Sequence, residues 1–436
     1  MVLSSIFNGG PTPHRRSGAR SPRKWIMARL RHKRAPPQGG NLPVCEKSII
    51  FAAEKNQYLS IYMKFNVSGK ALQQQLQAVS KVINSKNALS ILDNFLFTVA
   101  GDTLTITGSD QENSFVATLD IMEAEGEGSI AILARRLLDI FKEVANQPVT
   151  FYINEETLEI DIKFLTGHFN FTGISAAEFP VQEAMDADAE CIDVPASMIG
   201  AGLDATLFAV ATDTIRPAMT GVYFDIHPED ITFVASDTHK LVRYINTVAA
   251  PGITRDFILP AKPAAIIRAL TGKDDALINI QMDSKKAVFR FGNYALTSKY
   301  ILGKFPNYNR VIPADNAFTL TVDRASLLNA MRRVSLFASQ ASGLVRLNIQ
   351  PGEVMLSAQD LDYATSAEER VACEYEGNPM IIGFNAQYII ELLQNLKADV
   401  VVVRLADPSR PGLFVPQEEG AGAETVMLLM PMQVVE

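Results

Sequence analysis

Side chains that could do covalent chemistry are few in this sequence, and their spacing works against it. Ser236, Asp237, Thr238 and His239 stand side by side. These are hydrolase residue types: a hydroxyl to attack, an imidazole to take its proton, a carboxylate to orient the imidazole. A triad is gathered from distant segments, however, and neighbours at the end of one extended stretch do not converge on a single reacting atom. His168, His227 and His239 have no partner at metal-ligand spacing. No Gly-x4-Gly-Lys-Ser/Thr loop is present to cradle a phosphate. Glu155 and Glu156 fall in a predicted turn, where solvated charge explains them. Cys45, Cys191 and Cys373 are scattered and odd in number, so neither a disulfide framework nor a metal cage is expected. The expectation is a protein with no catalytic residue, no metal and no cofactor, in a reducing, cytoplasmic setting.

The elements that would position any site repeat three times. Residues 94–110 read NFLFTVAGDTLTITGSD, residues 220–237 TGVYFDIHPEDITFVASD, and residues 343–360 GLVRLNIQPGEVMLSAQD. Each is an alternating apolar strand, a short turn, a second alternating strand and a closing Asp. Asp110, Asp237 and Asp360 are 127 and 123 positions apart. A fixed period of this kind marks a repeated structural unit. Amphipathic stretches precede each hairpin, at 68–83, 195–211 and 323–339; in the last, Leu327, Leu328, Met331, Val334 and Leu336 recur at helical spacing. Asp323 and Ser326 are candidate starts, since short polar side chains cap free amides. A second helix is predicted after each hairpin, at 134–144, 260–272 and 385–396, followed by further strands such as 149–153 and 159–164. One repeat is then two successive units of strand, helix and three strands. The fold class is α+β, with domains at 63–184, 185–312 and 313–436, each of ordinary domain size.

Hydrophobic residues make up 47% of the chain and charged residues 20%, as in a packed globular protein. No apolar run reaches the length of a membrane span. Residues 1–62 stand apart: eleven Lys or Arg against Glu46 and Glu54, amid Pro, Gly and Ser. So little apolar content predicts disorder. A basic tail touching nucleic acid and a targeting peptide are both compatible with it. The preferred reading is an upstream extension, with Met63 as the true start. The whole chain is −8, so the part beyond this segment is −17. Yet the six predicted helices carry ten Lys or Arg (Lys70, Lys81, Arg135, Arg136, Lys142, Lys262, Arg268, Arg324, Arg332, Arg333) against five acids. An acidic body with basic helices suits one surface that meets a polyanion; helix propensity alone would also place Lys and Arg there.

From Met63 onward the chain resembles the bacterial sliding clamps, the beta subunits of DNA polymerase III. The resemblance is carried in order by MKFNVSGKALQQQLQAVSKVI at the start of the first repeat, LTITGSD, AEFP at 177–180, ASDTHKLVRY at 235–244, SKYILGKFPNYNRVIP at 298–313, IGFNAQYIIELL at 382–393 and MPM at 430–432. It implies the DNA clamp fold, closed as a head-to-tail homodimeric ring with helices inside and sheets outside. It implies a processivity factor that encircles double-stranded DNA without sequence preference. Its partners would be the DNA polymerase catalytic subunit, the clamp loader and other clamp-motif repair proteins, with no membrane partner. A clamp paralogue or other DNA-binding scaffold used only in repair is the alternative; an enzyme that borrowed the fold is a second.

By the same resemblance, Lys81, Lys86, Arg135, Arg136 and Arg216 are expected to touch DNA. Phe169 and Phe171, on the last strand of repeat 1, should meet Leu336 and Phe337, at the end of the first helix of repeat 3, across the dimer. A partner-peptide pocket is implied between repeats 2 and 3. Its residues are Met219, Ser236, Thr238, His239, Lys240, Leu241, Pro306, Arg310, Val311, Asn385, Tyr388, Leu428, Leu429, Met430, Pro431 and Met432. His239, Lys240 and Arg310 are expected as its polar rim, and Met and Leu as an adaptable apolar floor. Thr238 stands where the family carries Gly, Lys240 where Arg is common, and Val435 and Glu436 extend past the usual end.

Overall fold

The computed structural model describes residues 62–271 and 276–434. The expectations for residues 1–61 and for Val435 and Glu436 lie outside them. Among the described residues are six α-helices: α1 Gly69–Val79, α2 Ala134–Val144, α3 Ala196–Thr206, α4 Ala261–Leu270, α5 Arg324–Ser335 and α6 Ala386–Asn395. The predicted helices are all present, but five are shorter than expected. After α1 and α3 the chain tightens into the 3-10 turns Ser80–Val82 and Leu207–Ala209. α5 ends at Ser335, so Leu336 is its C-cap and Phe337 lies beyond it. That corrects the placement of both residues on the helix.

Local chemistry accounts for the helices. On α1, Leu72, Gln75, Leu76 and Val79 are buried, at spacings of three and four. The Ser68 hydroxyl accepts from Ala71 N, the Asp323 carboxylate from Ser326 N, and the Asn385 side chain from Gln387 N and Tyr388 N. Each satisfies an amide that the first helical turn leaves free. Asp323, rather than Ser326, is therefore the start of α5. Strands such as Tyr62–Ser68 and Leu344–Gln350 bury alternate residues, as the two-residue period requires when one face meets helices.

The predicted unit of strand, helix and three strands occurs six times. Three short strands, Met122–Glu125, Ile174–Ser175 and Glu374–Glu376, are additional. Each repeat packs its two helices together, α1 on α2, α3 on α4 and α5 on α6. The strands form four antiparallel sheets of five, nine, nine and four strands. Both nine-stranded sheets cross a boundary between repeats. In one, Asn113–Asp120 of repeat 1 pairs with Tyr294–Lys299, the last strand of repeat 2. In the other, Lys240–Asn246 of repeat 2 pairs with Ala423–Leu429, the last strand of repeat 3. One rule covers both seams: the last strand of a repeat's first unit joins the last strand of the next repeat's second unit.

Two strands of those same kinds are left at sheet edges. Gly167–Thr172, the last strand of the second unit of repeat 1, ends the five-stranded sheet, and Thr365–Ala372, the last strand of the first unit of repeat 3, ends the four-stranded one. Beneath the sheets, one core joins repeats 1 and 2, with Phe65, Phe97, Phe151, Phe224 and Phe289 fully buried. A second core fills repeat 3 around Leu327, Met331, Phe384 and Leu393. A third lies on the other face of the second seam, where Phe305 and Tyr308 of the 301–312 segment cover Val234, Leu241, Val426 and Leu428.

Candidate binding surfaces

The three closing aspartates close turns. Asp110 accepts from the amides of Glu112 and Asn113, Asp237 from those of His239 and Lys240, and Asp360 from those of Asp362 and Tyr363. A carboxylate bonding backbone two and three residues ahead is the Asx-turn geometry. The Ser236–His239 run therefore serves backbone structure: Ser236 is buried, its hydroxyl donating to Lys240 O and accepting from Thr238 N. Among the described residues no group of three or more His, Cys, Asp or Glu is placed to hold a metal.

Thr238 sits in this turn at φ 80°, in the left-handed region where glycine is at ease. A β-branched residue there is strained by about 1 kcal/mol or more, partly offset in Gly by greater freedom of the unfolded chain. Thr238→Gly is expected to leave the fold intact and raise stability by up to about 1 kcal/mol. Calorimetry checks this; a lower melting temperature would mean that the threonine side chain makes a compensating contact.

The predicted pocket residues converge on the second seam. The register sets Lys240 opposite Leu429 and Leu241 opposite Leu428. Met430 N donates to His239 O at 2.9 Å, and Met432 N to Gly383 O at 2.8 Å, so the C-terminal tail bridges the turn of repeat 2 and a strand of repeat 3. The His239 and Tyr388 rings stack, with centroids 5.4 Å apart. Thr238, His239, Pro306, Arg310, Val311 and Met430 are exposed, and Met219, Asn385, Tyr388, Pro431 and Met432 are half-buried. Beside the tail, Pro431 and Met432 line a groove with Ile381 and Pro408. The 301–312 segment is anchored by Tyr308, whose hydroxyl donates to Asp225 at 2.7 Å; burial and that carboxylate raise its pKa.

Four of the expected pocket residues need correction. Lys240 is not a rim contact: it is 5% exposed and its ammonium lies 2.7 Å from Asp237 and 3.0 Å from Glu391. Burial would lower its pKa, but the two carboxylates outweigh burial and hold it above the ordinary lysine value. It also lies 4.5 Å from the centroid of the Tyr388 ring. Lys240 thus holds the turn, α6 and the aromatic pair in place from below. Leu428 and Leu429, at 1% and 0% exposure, belong to two hydrophobic cores and present no surface to a ligand; Leu241 likewise supports the site from within.

The basic helix residues divide. Lys262 donates to Val82 O, Asn84 Oδ1 and Asp110 Oδ2 across the first seam. Arg324 donates to the carbonyls of Leu393 and Ala398, Arg333 pairs with Glu369, Lys142 with Asp139 and Arg268 with Asp204. Half of the ten are thus spent on internal contacts, which weakens the charge count as a sign of a polyanion. Lys81, Lys86, Arg135, Arg136 and Arg216 are exposed. The Arg136 guanidinium lies 5.3 Å from the centroid of the Phe171 ring, at the open edge of repeat 1. At the other open end, Leu336 is 80% and Phe337 40% exposed, while Phe169 and Phe171 are half-buried against the core.

A tandem-repeat scaffold whose sites are seams, a tail groove and exposed cations is a binding clamp. Models of the N-terminal, central and C-terminal domains of the DNA polymerase III beta subunit match residues 63–183, 193–307 and 309–433. The beta sliding clamp of Caulobacter vibrioides is 30% identical over 387 residues, spanning 85% of this chain and all of its own. The Escherichia coli beta sliding clamp is 27% identical with the same coverage. The crystal structure of the Pseudomonas aeruginosa DNA polymerase sliding clamp superposes with a TM-score of 0.80 at 27% identity, covering 85% of this chain and 100% of that one. This chain belongs to the DNA polymerase III beta subunit family, the bacterial sliding clamps, and is a non-catalytic processivity factor of DNA replication.

Proposed function

We propose that two copies of this chain, each with domains at 63–184, 185–312 and 313–436, close head to tail into a ring around duplex DNA in the cytoplasm. The observation that carries this is the strand count of the sheets. The two internal seams each make nine strands, and the unfinished five- and four-stranded sheets together supply nine. Their free edges, Gly167–Thr172 and Thr365–Ala372, are the two strand types that the seam rule joins. Such edges invite a partner, and two identical head-to-tail seams about a twofold axis leave none open. Lys81, Lys86 and Arg216 would face DNA from inside, through phosphates and without base readout. The surface of Met219, Thr238, His239, Pro306, Arg310, Val311, Tyr388, Met430 and Met432 would take a linear peptide of the polymerase, the clamp loader or a repair protein. No observation favours a clamp restricted to repair.

Loaded protein should remain on closed circular DNA and run off linear DNA, as gel filtration of clamp–DNA mixtures would detect. Equilibrium binding to short duplexes should be weak and fall steeply with salt. Equal retention on both topologies at moderate salt would defeat the ring.

A further inference from the structure

The internal seams share an electrostatic device, and its parts are also present, unpaired with each other, at the two open ends. At the first seam, the turn aspartate Asp110 is 6% exposed on its side chain and receives the Lys262 ammonium at 2.7 Å. Lys262 is the second residue of α4 in the next repeat. It also donates to Val82 O and Asn84 Oδ1, just after α1. At the second seam, Asp237 is again the anion, but the cation has changed sides. It is Lys240, three residues after the aspartate, and it reaches Glu391 on α6. The second residue of α6 is Gln387, which carries no charge.

At each internal seam the turn aspartate is therefore met by one cation, in one of two alternative positions. Where the residue three after the aspartate is Asn113, the helix supplies Lys262; where it is Lys240, the helix supplies Gln387. At the open ends the residue three after Asp360 is Tyr363, and the second residue of α2 is Arg135. The ladders fix these correspondences. Leu133, before α2, pairs with Asn94; Pro260, before α4, pairs with Gly221; and Asn385, before α6, pairs with Leu344, at matching places in the three hairpins. Asp360 is 6% exposed, and none of the ion pairs among the described residues includes it. It lines a cleft of about 370 Å³ together with Ser339 and Ser342. Arg135 is exposed and likewise enters none of those ion pairs.

Resting on the ring reading, we infer that Arg135 is a seam residue that enters the partner copy at this cleft. Its guanidinium takes the place of the Lys262 ammonium. The acceptors equivalent to Val82 O, Asn84 Oδ1 and Asp110 Oδ2 are Phe337 O, Ser339 Oγ and Asp360 Oδ2, by the alignment of α1 with α5 from their caps Ser68 and Asp323. A fork of N–H donors suits several oxygens held at one point. This moves Arg135 from the DNA-facing set to the ring closure. A nearly buried carboxylate that enters no ion pair in the free protomer would gain one from another copy.

Sedimentation velocity and dilution light scattering on the full chain test this with Arg135→Gln, Asp360→Asn and the pair together. The carboxamide oxygen introduced by Asp360→Asn can still accept the two turn amides, so folding should persist, as circular dichroism would verify. Each single change should raise the dimer dissociation constant by roughly thirtyfold or more, because removing one partner strands a desolvated charge and the ring has two such seams. The double variant should be no worse than the weaker single, within about threefold, because the second removal has no pair left to break. Multiplying effects, or an Arg135→Gln dimer as tight as the unaltered one, would overturn the assignment. Loss of circular-DNA retention with an intact dimer would do so too, returning Arg135 to DNA contact and leaving the ring itself standing. An unaltered chain that stayed monomeric at every concentration would remove the ring and this seam together.

Discussion

Leu336→Ala combined with Phe337→Ala is expected to turn the dimer into folded monomers. Both side chains lie beyond the end of α5 and are exposed, so they do little for the protomer's own stability. In the ring they would meet the aromatic edge of repeat 1, where Phe164 and Phe169 stack at 4.9 Å and Arg136 covers Phe171. Burying one such side chain contributes roughly 1.5–3 kcal/mol. Two per seam and two seams give roughly 6–12 kcal/mol, and each 1.4 kcal/mol is about tenfold in affinity. Even with half of that lost to relaxation, a dissociation constant raised at least about a hundredfold is expected by sedimentation. Retention on circular DNA should vanish with it, while the melting temperature of the monomer stays near that of the unaltered protomer. A double variant still dimeric at nanomolar concentration would place the interface elsewhere.

Removal of residues 430–436 should separate ring from tether. The last strand, Ala423–Leu429, keeps its full pairing with Lys240–Asn246 and leaves both cores intact. What is lost is the two backbone bonds to His239 and Gly383 and the thioethers of Met430 and Met432. Linear peptides draw most of their affinity from a few buried anchors, each contributing about 2 kcal/mol or more. The shortened protein should remain a dimer that stays on circular DNA, yet bind polymerase-derived peptides on the order of a hundredfold more weakly and fail to stimulate synthesis. Arg310→Ala should act in the same direction with a smaller effect. Unchanged peptide affinity in a folded truncation would exclude the tail from the site. Unfolding would show that the tail is a structural clasp, a role suggested by its close packing on Gly383, where an added Cβ would meet Val434 at 2.7 Å and Met432 O at 3.0 Å.

The hairpins, the six helices and the unit they build were legible in the sequence because each depends on a local period: two residues for a half-buried strand, near four for a helix on a core. Features decided by distant partners were not. Lys240 read as a surface cation because nothing near it announces Glu391 or Tyr388, which bury it. Lys262 read as one of ten basic helix residues, although its acceptors lie across a seam. Leu336 continues the helical spacing of α5 and so read as helix, but the chain turns at Ser335. The seam pairings themselves join strands far apart in sequence. They become inferable only once two have been seen and the third pair is found unmated.

The uniform head-to-tail order of the seams bears on direction. A twofold axis running through the opening of such a ring is polar, so the two faces are chemically different and both tails emerge on the same one. Every protein that docks at a tail would then approach the duplex from one side. A ring threaded onto DNA would carry an orientation, and reversing it would point an attached enzyme the wrong way along the template.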